Sequence, residues 1–328
     1  MQKRNIFQDM EQDVNNATDI GEETKKILFS NILRLKDQKV NLMITGATGS
    51  GKSSTINALF DMQVAKVGVG VDPETMDIQK YELDNLILWD SPGLGDGKEK
   101  DNQHSKGIIK KLHEVDDNGK PLIDLVLVIL DGSTRDLGTS YELINSVIIP
   151  AIGETAKDRV LIAINQADVA MKGRHWNYDE NKPEPKLVEF LDEKANSVKR
   201  RILEATGVHI QPIYYSAGFT DDNEQQSPYN LSKLMYFIVK NTPSEKRLVI
   251  ADKISDDENM WKNNDDLDRY NDKIKQSFID SVVESAGAGA DLGESIGSVF
   301  GSTGRAIGKV VGTVGGAIVG GIKSLFSW

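Results

Sequence analysis

Between residues 39 and 241 the chain alternates two kinds of apolar pattern. Leu125-Val126-Leu127-Val128-Ile129-Leu130 and Val160-Leu161-Ile162-Ala163-Ile164 are apolar at nearly every position, as strands covered on both faces must be. The stretches between such runs repeat apolar residues every three or four positions, the period of one helix face. Read this way, strands fall at 40–45, 77–83, 86–90, 122–130, 159–164 and 210–216. Helices fall at 52–60, 102–114, 138–149, 184–205 and 230–240. Tyr81 to Leu88 reads as a hairpin with Asp84-Asn85 at its turn. The pattern predicts an α/β domain over 39–243: a mostly parallel six-stranded sheet with one antiparallel strand and helices on both faces.

The flanks lack strands. Residues 1–38 are polar and helical in pattern, and within 22–36 Ile27, Leu28, Ile32, Leu33 and Leu35 offer one apolar face for packing. Gly21 and the pair Glu22-Glu23 suit the start of that helix. Residues 244–285 also read as helical. Asp252, Asp256, Asp257, Glu258, Asp265, Asp266 and Asp268 make them acidic, which reads as a solvated face.

Candidate chemistry collects at the ends of the strands. Gly46-Ala47-Thr48-Gly49-Ser50-Gly51-Lys52-Ser53 fits G-x-x-x-x-G-K-[ST] at every fixed position, between a strand and a helix. Glycines let successive N–H groups turn inward to phosphate oxygens, and the helix N-terminus adds its dipole. Gly46, Thr48, Gly49, Ser50, Gly51, Lys52, Ser53 and Ser54 are therefore the candidate phosphate-binding residues. The Ser53 hydroxyl suits the Mg2+ that travels with a nucleoside triphosphate. Trp89-Asp90-Ser91-Pro92-Gly93 closes a strand with D-x-x-G, 37 residues after Ser53. Asp90 can hold the metal through water, and the Gly93 N–H can touch the terminal phosphate. In the glycine-rich segment between, Thr75 is the candidate second hydroxyl for the metal.

Asn165-Gln166-Ala167-Asp168 follows directly on the strand at 159–164. A carboxylate at a base's edge accepts both the ring N–H and the exocyclic amine of guanine, whereas adenine would leave it unpaired. Asp168 is the candidate for that contact, and Asn165 can tie the loop to the phosphate loop. Ser216-Ala217 closes the last strand, where backbone can meet the guanine carbonyl.

The ordered set Gly46–Ser53, Thr75, Asp90–Gly93, Asn165–Asp168 and Ser216-Ala217 resembles the translation-factor-class P-loop GTPases, specifically the Era-like group. The runs from Gly68 to Asp77 and from Trp89 to Gly97 are similar to a family of prophage-associated bacterial GTPases, some of them described as ribosome-binding. The resemblance spans roughly residues 25–245. It implies a Ras-like G domain, GTP and GDP as ligands with Mg2+, slow hydrolysis, and switch segments around Thr75 and 91–100. Two positions depart from it. Leu94 stands where many small GTPases have a water-orienting glutamine, so the water-activating residue is not identified, with Lys52 and Thr75 assisting. Gln166 replaces the usual lysine of N-K-x-D, whose stem covers the base, which implies weaker affinity with base choice unchanged.

Composition narrows the picture little and the C-terminus widens it. A net charge of −11 argues against general nucleic-acid binding, and the absence of cysteine excludes disulfides and thiol chemistry. Met1 to Met10 turns acidic before any apolar run, so the expectation is no secretory signal and a cytoplasmic chain, peripheral at most to the inner face of the membrane. Residues 286–328 hold 12 of the 29 glycines. Gly289, Gly293, Gly297 and Gly301 recur every four residues, as do Gly304, Gly308, Gly312, Gly316 and Gly320. So many glycines cost a helix on the order of 10 kcal/mol relative to alanine, so a lone solvated helix is disfavoured. The readings are a disordered linker, a membrane span, or a glycine-zipper hairpin breaking near 301–304. The longest uncharged run, Val310 to Ile322, has 13 residues, short of the roughly 20 a spanning helix needs, and the hairpin leads. It would pack on itself, on a second copy in a homodimer or larger assembly, or into a membrane interface.

The functional expectation is a GTP-hydrolysing switch whose tail mediates membrane association or self-assembly. The alternatives are a nucleotide-sensing or ribosome-associated factor with little turnover, and a dynamin-like remodeller, for which no long stalk is evident.

Overall fold

The computed structural model describes residues 6–18, 20–60, 78–95, 97–221, 224–255 and 257–285. The chain enters through α1 (Ile6–Asn16) and α2 (Glu22–Lys36), then β1 (Val40–Gly46), α3 (Lys52–Phe60), β2 (Gln79–Leu83), β3 (Leu86–Asp90) and α4 (Lys98–Leu112). It continues through β4 (Leu125–Asp131), α5 (Gly138–Glu142), α6 (Ile149–Ile152), α7 (Ala156–Arg159), β5 (Val160–Asn165), β6 (Trp176–Asn177), β7 (Lys182–Pro183) and α8 (Pro185–Thr206). The last elements are β8 (Ile213–Tyr214), β9 (Phe219–Asp221), β10 (Glu224–Gln226), α9 (Leu231–Asn241), α10 (Arg247–Ala251) and α11 (Tyr270–Ser285).

The main sheet has six strands in the order β2-β3-β1-β4-β5-β8. β2 and β3 form the antiparallel hairpin, and every other pairing is parallel. This is the mostly parallel α/β arrangement that the apolar runs predict. Alternation along the central strands divides two cores. Leu42, Ile44, Leu125, Leu127 and Ile129 face α1, α2, α3, α9, α10 and α11, while Met43, Val126, Val128 and Leu130 face α4, α8 and the helical stretch 138–152. Register matters for the site: Ile44 pairs Asp90, Gly46 pairs Ile129, and Asp131 pairs Asn165. Parallel strands thus deliver their C-terminal ends to one edge, where open α/β sheets bind ligands.

Several elements differ from the pattern reading. In α2 the buried stripe is Leu28, Ile32 and Leu35, while Ile27 and Leu33 are 38% and 53% exposed because they fall off that i, i+4, i+7 line. α4 starts a turn earlier than expected, after Gly97, with Glu99 and Asp101 favourably placed in its first turn. The last strand is only Ile213–Tyr214, because Ser216 leaves β5 and pairs with Tyr229 instead. The acidic segment 244–285 is helical chiefly at its ends, in α10 and α11. Between them Trp261 is buried in the first core with its Nε1 donating to Ser255 O at 3.0 Å, and the Ser255 N–H is tied to Leu59 O at the end of α3. Its carboxylates are not simply solvated: Asp265 accepts from Lys233 Nζ at 2.5 Å and the Tyr270 hydroxyl at 2.8 Å. Local ion pairs and one buried tryptophan hold as loop what charge composition alone suggests is a helix.

The segment carrying Thr75 and the glycine-rich tail at 286–328 lie outside the described residues.

Candidate functional site

The phosphate-loop candidate runs from the end of β1 into α3. Lys52 folds back over it, its Nζ donating to Gly46 O at 3.3 Å and Ala47 O at 3.2 Å. Gly51 has φ +86, and a Cβ there would overlap Asn165 Nδ2, so this glycine is required by conformation and by contact. Ser50 is fully buried, and among the described residues its Oγ has no hydrogen-bond partner. Ser53 and Ser54 sit half-buried in the first turn of α3.

Two of the expected phosphate donors are otherwise engaged. The Thr48 N–H donates to Leu94 O at 3.0 Å and the Ser50 N–H to Ala47 O at 3.2 Å. The first is taken by the D-x-x-G segment, which lies against the loop through a parallel bridge between Ala47 and Leu94, and the second closes a turn within the loop itself. Gly93 makes that approach feasible: a Cβ there would meet Thr48 Cα and N at 2.7 Å. Leu94 is 5% exposed and packs into the second core with Met43 and Ile108. It therefore faces the protein interior, and its backbone carbonyl, not its side chain, touches the loop.

Asp90 ends β3 beside this loop. Among the described residues its Oδ1 is sealed from solvent and accepts no hydrogen bond, and burial pushes the carboxyl up to about 6 against the downward pull of the Lys52 ammonium. A sealed acceptor without a described donor, at the end of a strand beside the loop that opens α3, fits a hydrated divalent cation. Among the described residues no group of three or more His, Cys, Asp or Glu could hold a metal, so any such ion relies on hydroxyls, water and ligand oxygens besides Asp90.

The base half comes from the ends of β5 and β8. Asn165 is 2% exposed and joins three segments: its Nδ2 donates to Ser50 O at 3.0 Å, and its Oδ1 accepts from Ala217 N at 3.0 Å. Gln166, at φ +61, sends Nε2 to Gly49 O at 2.8 Å. Its side chain thus lies on the phosphate loop, a role the sequence reading did not give it. Asp168 is 6% exposed, and among the described residues no donor to its carboxylate is seen. Ser216 exchanges backbone hydrogen bonds with Tyr229 at 3.0 and 2.9 Å, and its Oγ accepts from Gly218 N at 3.2 Å, which fixes the second loop beside the first.

Four contributing residues carry no motif. The Gly132 N–H donates to Asn165 O at 2.8 Å, and Lys194 Nζ reaches Gly132 O at 2.7 Å and Thr134 O at 2.5 Å. Burial pushes the Lys194 ammonium down, opposed by Asp131. Thr55 and Tyr215 meet behind the loop at 2.6 Å. The available signal was a hydroxyl in an otherwise apolar setting, in Thr55-Ile56 and in Ile213-Tyr214-Tyr215, but neither spacing distinguishes it from ordinary core.

Comparison with known proteins gives a partial match. Residues 41–166 match the family model described as "50S ribosome-binding GTPase". YfjP of Escherichia coli (strain K12) is 30% identical over 131 residues, covering 39% of this chain and 41% of that protein. Interferon-inducible GTPase 1 of Mus musculus is 39% identical over 74 residues, covering 20% of this chain and 18% of that one. The chain thus spans half or less of the length of the curated relatives it matches. Toc33 from Arabidopsis thaliana in complex with GDP and Mg2+ is similar at a TM-score of 0.41 and 17% identity, over 66% of this chain and 84% of Toc33, too loose a likeness to carry an argument about the site.

Proposed function

We propose that this chain binds GTP with Mg2+ and hydrolyses it to GDP and phosphate, as a nucleotide-dependent switch of the Era-like kind whose segment 286–328 mediates membrane association or self-assembly. The observation that carries the nucleotide reading is Asp168: a residue 6% exposed whose carboxylate has no donor among the described residues, on a loop that Asn165 ties to Ser50. A carboxylate with no protein donor is left for solvent or a ligand to satisfy, and the ring N–H and exocyclic amine of guanine are a matched pair of donors for it. The similarity of residues 41–166 to a GTPase family supports the same reading.

In this reading Ser53 and Asp90 hold the metal, with Thr75 adding a second hydroxyl. Bound magnesium neutralises charge on the transferred phosphoryl group. Gly46 to Ser54 and Gly93 hold phosphates, so the contact between Gly93 and Thr48 must open to admit the terminal one. Asp168 reads the base beside Ser216 and Ala217. Leu94 is turned into the core, so the attacking water must be oriented by another group, either the backbone or a residue from a second copy in a homodimer. That same burial favours a second reading, a nucleotide sensor or ribosome-associated factor with little turnover.

Phosphate release separates the two readings. Lys52→Ala should abolish tight GTP binding, and near-normal affinity in that variant would sink both. Asp168→Asn should shift preference from guanine toward xanthine nucleotides; an unchanged preference counts against the base contact.

A further inference from the structure

The phosphate loop is held from behind by a pair of hydroxyls. Thr55 is fully buried in the first turn of α3, and its N–H and Oγ1 both donate to Gly51 O, at 3.0 and 2.8 Å. Its Oγ1 also lies 2.6 Å from the hydroxyl of Tyr215, itself sealed from solvent. A threonine hydroxyl has one proton. With that proton on Gly51 O, the Tyr215 hydroxyl must be the donor to Thr55. Burial pushes the Tyr215 phenol above its ordinary range, so the donating proton stays in place.

Tyr215 is also where the base half is mounted. Its N–H donates to Ile164 O at 2.9 Å, next to Asn165, and its own carbonyl accepts from Ala167 N at 3.1 Å, next to Asp168. One residue therefore grips the base loop with its backbone and the phosphate loop with its side chain. A core-filling role alone would be served by phenylalanine, which carries no hydroxyl to bury.

Peptide planarity turns this grip into aim. The Gly51 carbonyl and the Lys52 N–H belong to one rigid unit and point in opposite directions, so fixing the carbonyl fixes the N–H. The preceding unit is held the same way, with Asn165 on Ser50 O and the Gly51 N–H on the other side. We propose that Tyr215 is a positioning residue for the nucleotide: through Thr55 it sets the Gly51–Lys52 peptide so that the Lys52 N–H meets a phosphate oxygen. The proposal rests on the reading of Gly46–Ser53 as a nucleotide phosphate site.

The test titrates GDP with Mg2+, and guanosine alone, against the full chain and its Tyr215→Phe variant, with 31P spectra of bound GDP. The expected result is a roughly three- to tenfold loss of GDP affinity, the effect of one net hydrogen bond, with guanosine affinity changed less and the β-phosphorus resonance displaced. Thr55→Ser, which keeps the relay, should show neither the loss nor the shift and so behave as native. Unchanged GDP affinity, or GDP and guanosine affinities falling by the same factor with an unmoved resonance, would overturn the proposal in favour of a packing role. Should Tyr215→Phe not fold, Thr55→Val removes both hydroxyl contacts at constant shape and is judged by the same criteria. Failure of the native protein to bind GDP at all is a different result, and it refutes the nucleotide reading itself.

Discussion

Asn165→Asp replaces one nitrogen by oxygen at the junction of the site without changing its shape. The native amide donates to Ser50 O and accepts from Ala217 N, both at 3.0 Å, in a residue 2% exposed. The introduced carboxyl keeps the acceptor for Ala217. Once ionised it has no proton for Ser50 O, and it sets an anionic oxygen against that carbonyl. An unsatisfied buried polar group costs about 1–3 kcal/mol, which corresponds to roughly 5- to 150-fold in an equilibrium constant. The tie exists without nucleotide, so part of this cost falls on folding and appears as a lower melting temperature. The lower end of the range, roughly 5- to 30-fold, is the expected loss of GDP affinity near neutral pH.

The pH dependence gives the sharper reading. Burial disfavours the ionised carboxyl and raises its pKa. The protonated form regains an O–H that can donate to Ser50 O, so affinity relative to the native protein should recover as pH falls through the raised pKa and be lost as pH rises through it. Calorimetric titration of GDP between about pH 5 and pH 8, with both proteins under each condition, measures the ratio directly and cancels titrations they share. A ratio that does not change with pH, or a variant within twofold of native near neutrality, would refute the role given to the Asn165 bridge.

The remaining predictions address the two departures from the motif pattern and the tail. Gln166→Ala removes an exposed hydrogen bond to Gly49 O and should weaken GDP binding by roughly two- to tenfold, while Gln166→Lys keeps a donor and should stay within about twofold of native; equal losses in both would show that the Gly49 contact is unimportant. Leu94→Gln puts an amide into the second core at a position 5% exposed, so it should cost about 1–3 kcal/mol of stability and leave phosphate release no faster; a clear rise in turnover at unchanged melting temperature would contradict the inward orientation. Protein ending at residue 285 keeps both cores, so it should bind GDP within twofold of the full chain yet fail to float with liposomes; flotation undiminished by the truncation would remove the tail from the membrane reading.

Much of the sheet was legible because its strands are buried on both faces and announce themselves as unbroken apolar runs. The P-loop was legible because phosphate chemistry demands glycines and a lysine at fixed spacing. What escaped was the set of contacts between loops. Gln166 looks like a weakened lysine until its Nε2 is seen on Gly49 O, since only the folded chain brings residues 117 positions apart together. Leu94 looks like a failed catalytic position until its burial shows that it is a core residue with a structural carbonyl. The acidic run reads as a solvated helix because composition weighs its aspartates equally. In the fold, Asp265 is paired and Trp261 anchors the segment, and one tryptophan outweighs several charges.

Where α11 ends bears on how a switch could work. Glu284 lies at a cleft shared with Arg34, Gln38, Lys120 and Glu245. Arg34 and Gln38 precede the start of β1, and Lys120 precedes the start of β4, so this cleft is at the edge where strands begin. The phosphate loop leaves the opposite end of β1, seven residues and so about 20 Å away. Described contacts from the site toward α11 run along two routes: from the base end, Asn230 Nδ2 donates to Tyr214 O at 3.1 Å, Asp265 N donates to Asn230 Oδ1 at 2.8 Å, and the Tyr270 hydroxyl opening α11 reaches Asp265; from the phosphate end, α3 shares the first core with α11, and its Leu59 O accepts from the Ser255 N–H ahead of α11. The elements that would sense a terminal phosphate, Gly93 and the Thr48 contact, pack instead on α4 and the second core through Leu94. The first route starts where a base would lie, and the second, through α3, starts at the phosphate loop. A switch that distinguishes GTP from GDP would have to act on α11 along the second route, through the first turn of α3, since the base contacts are the same in both nucleotides.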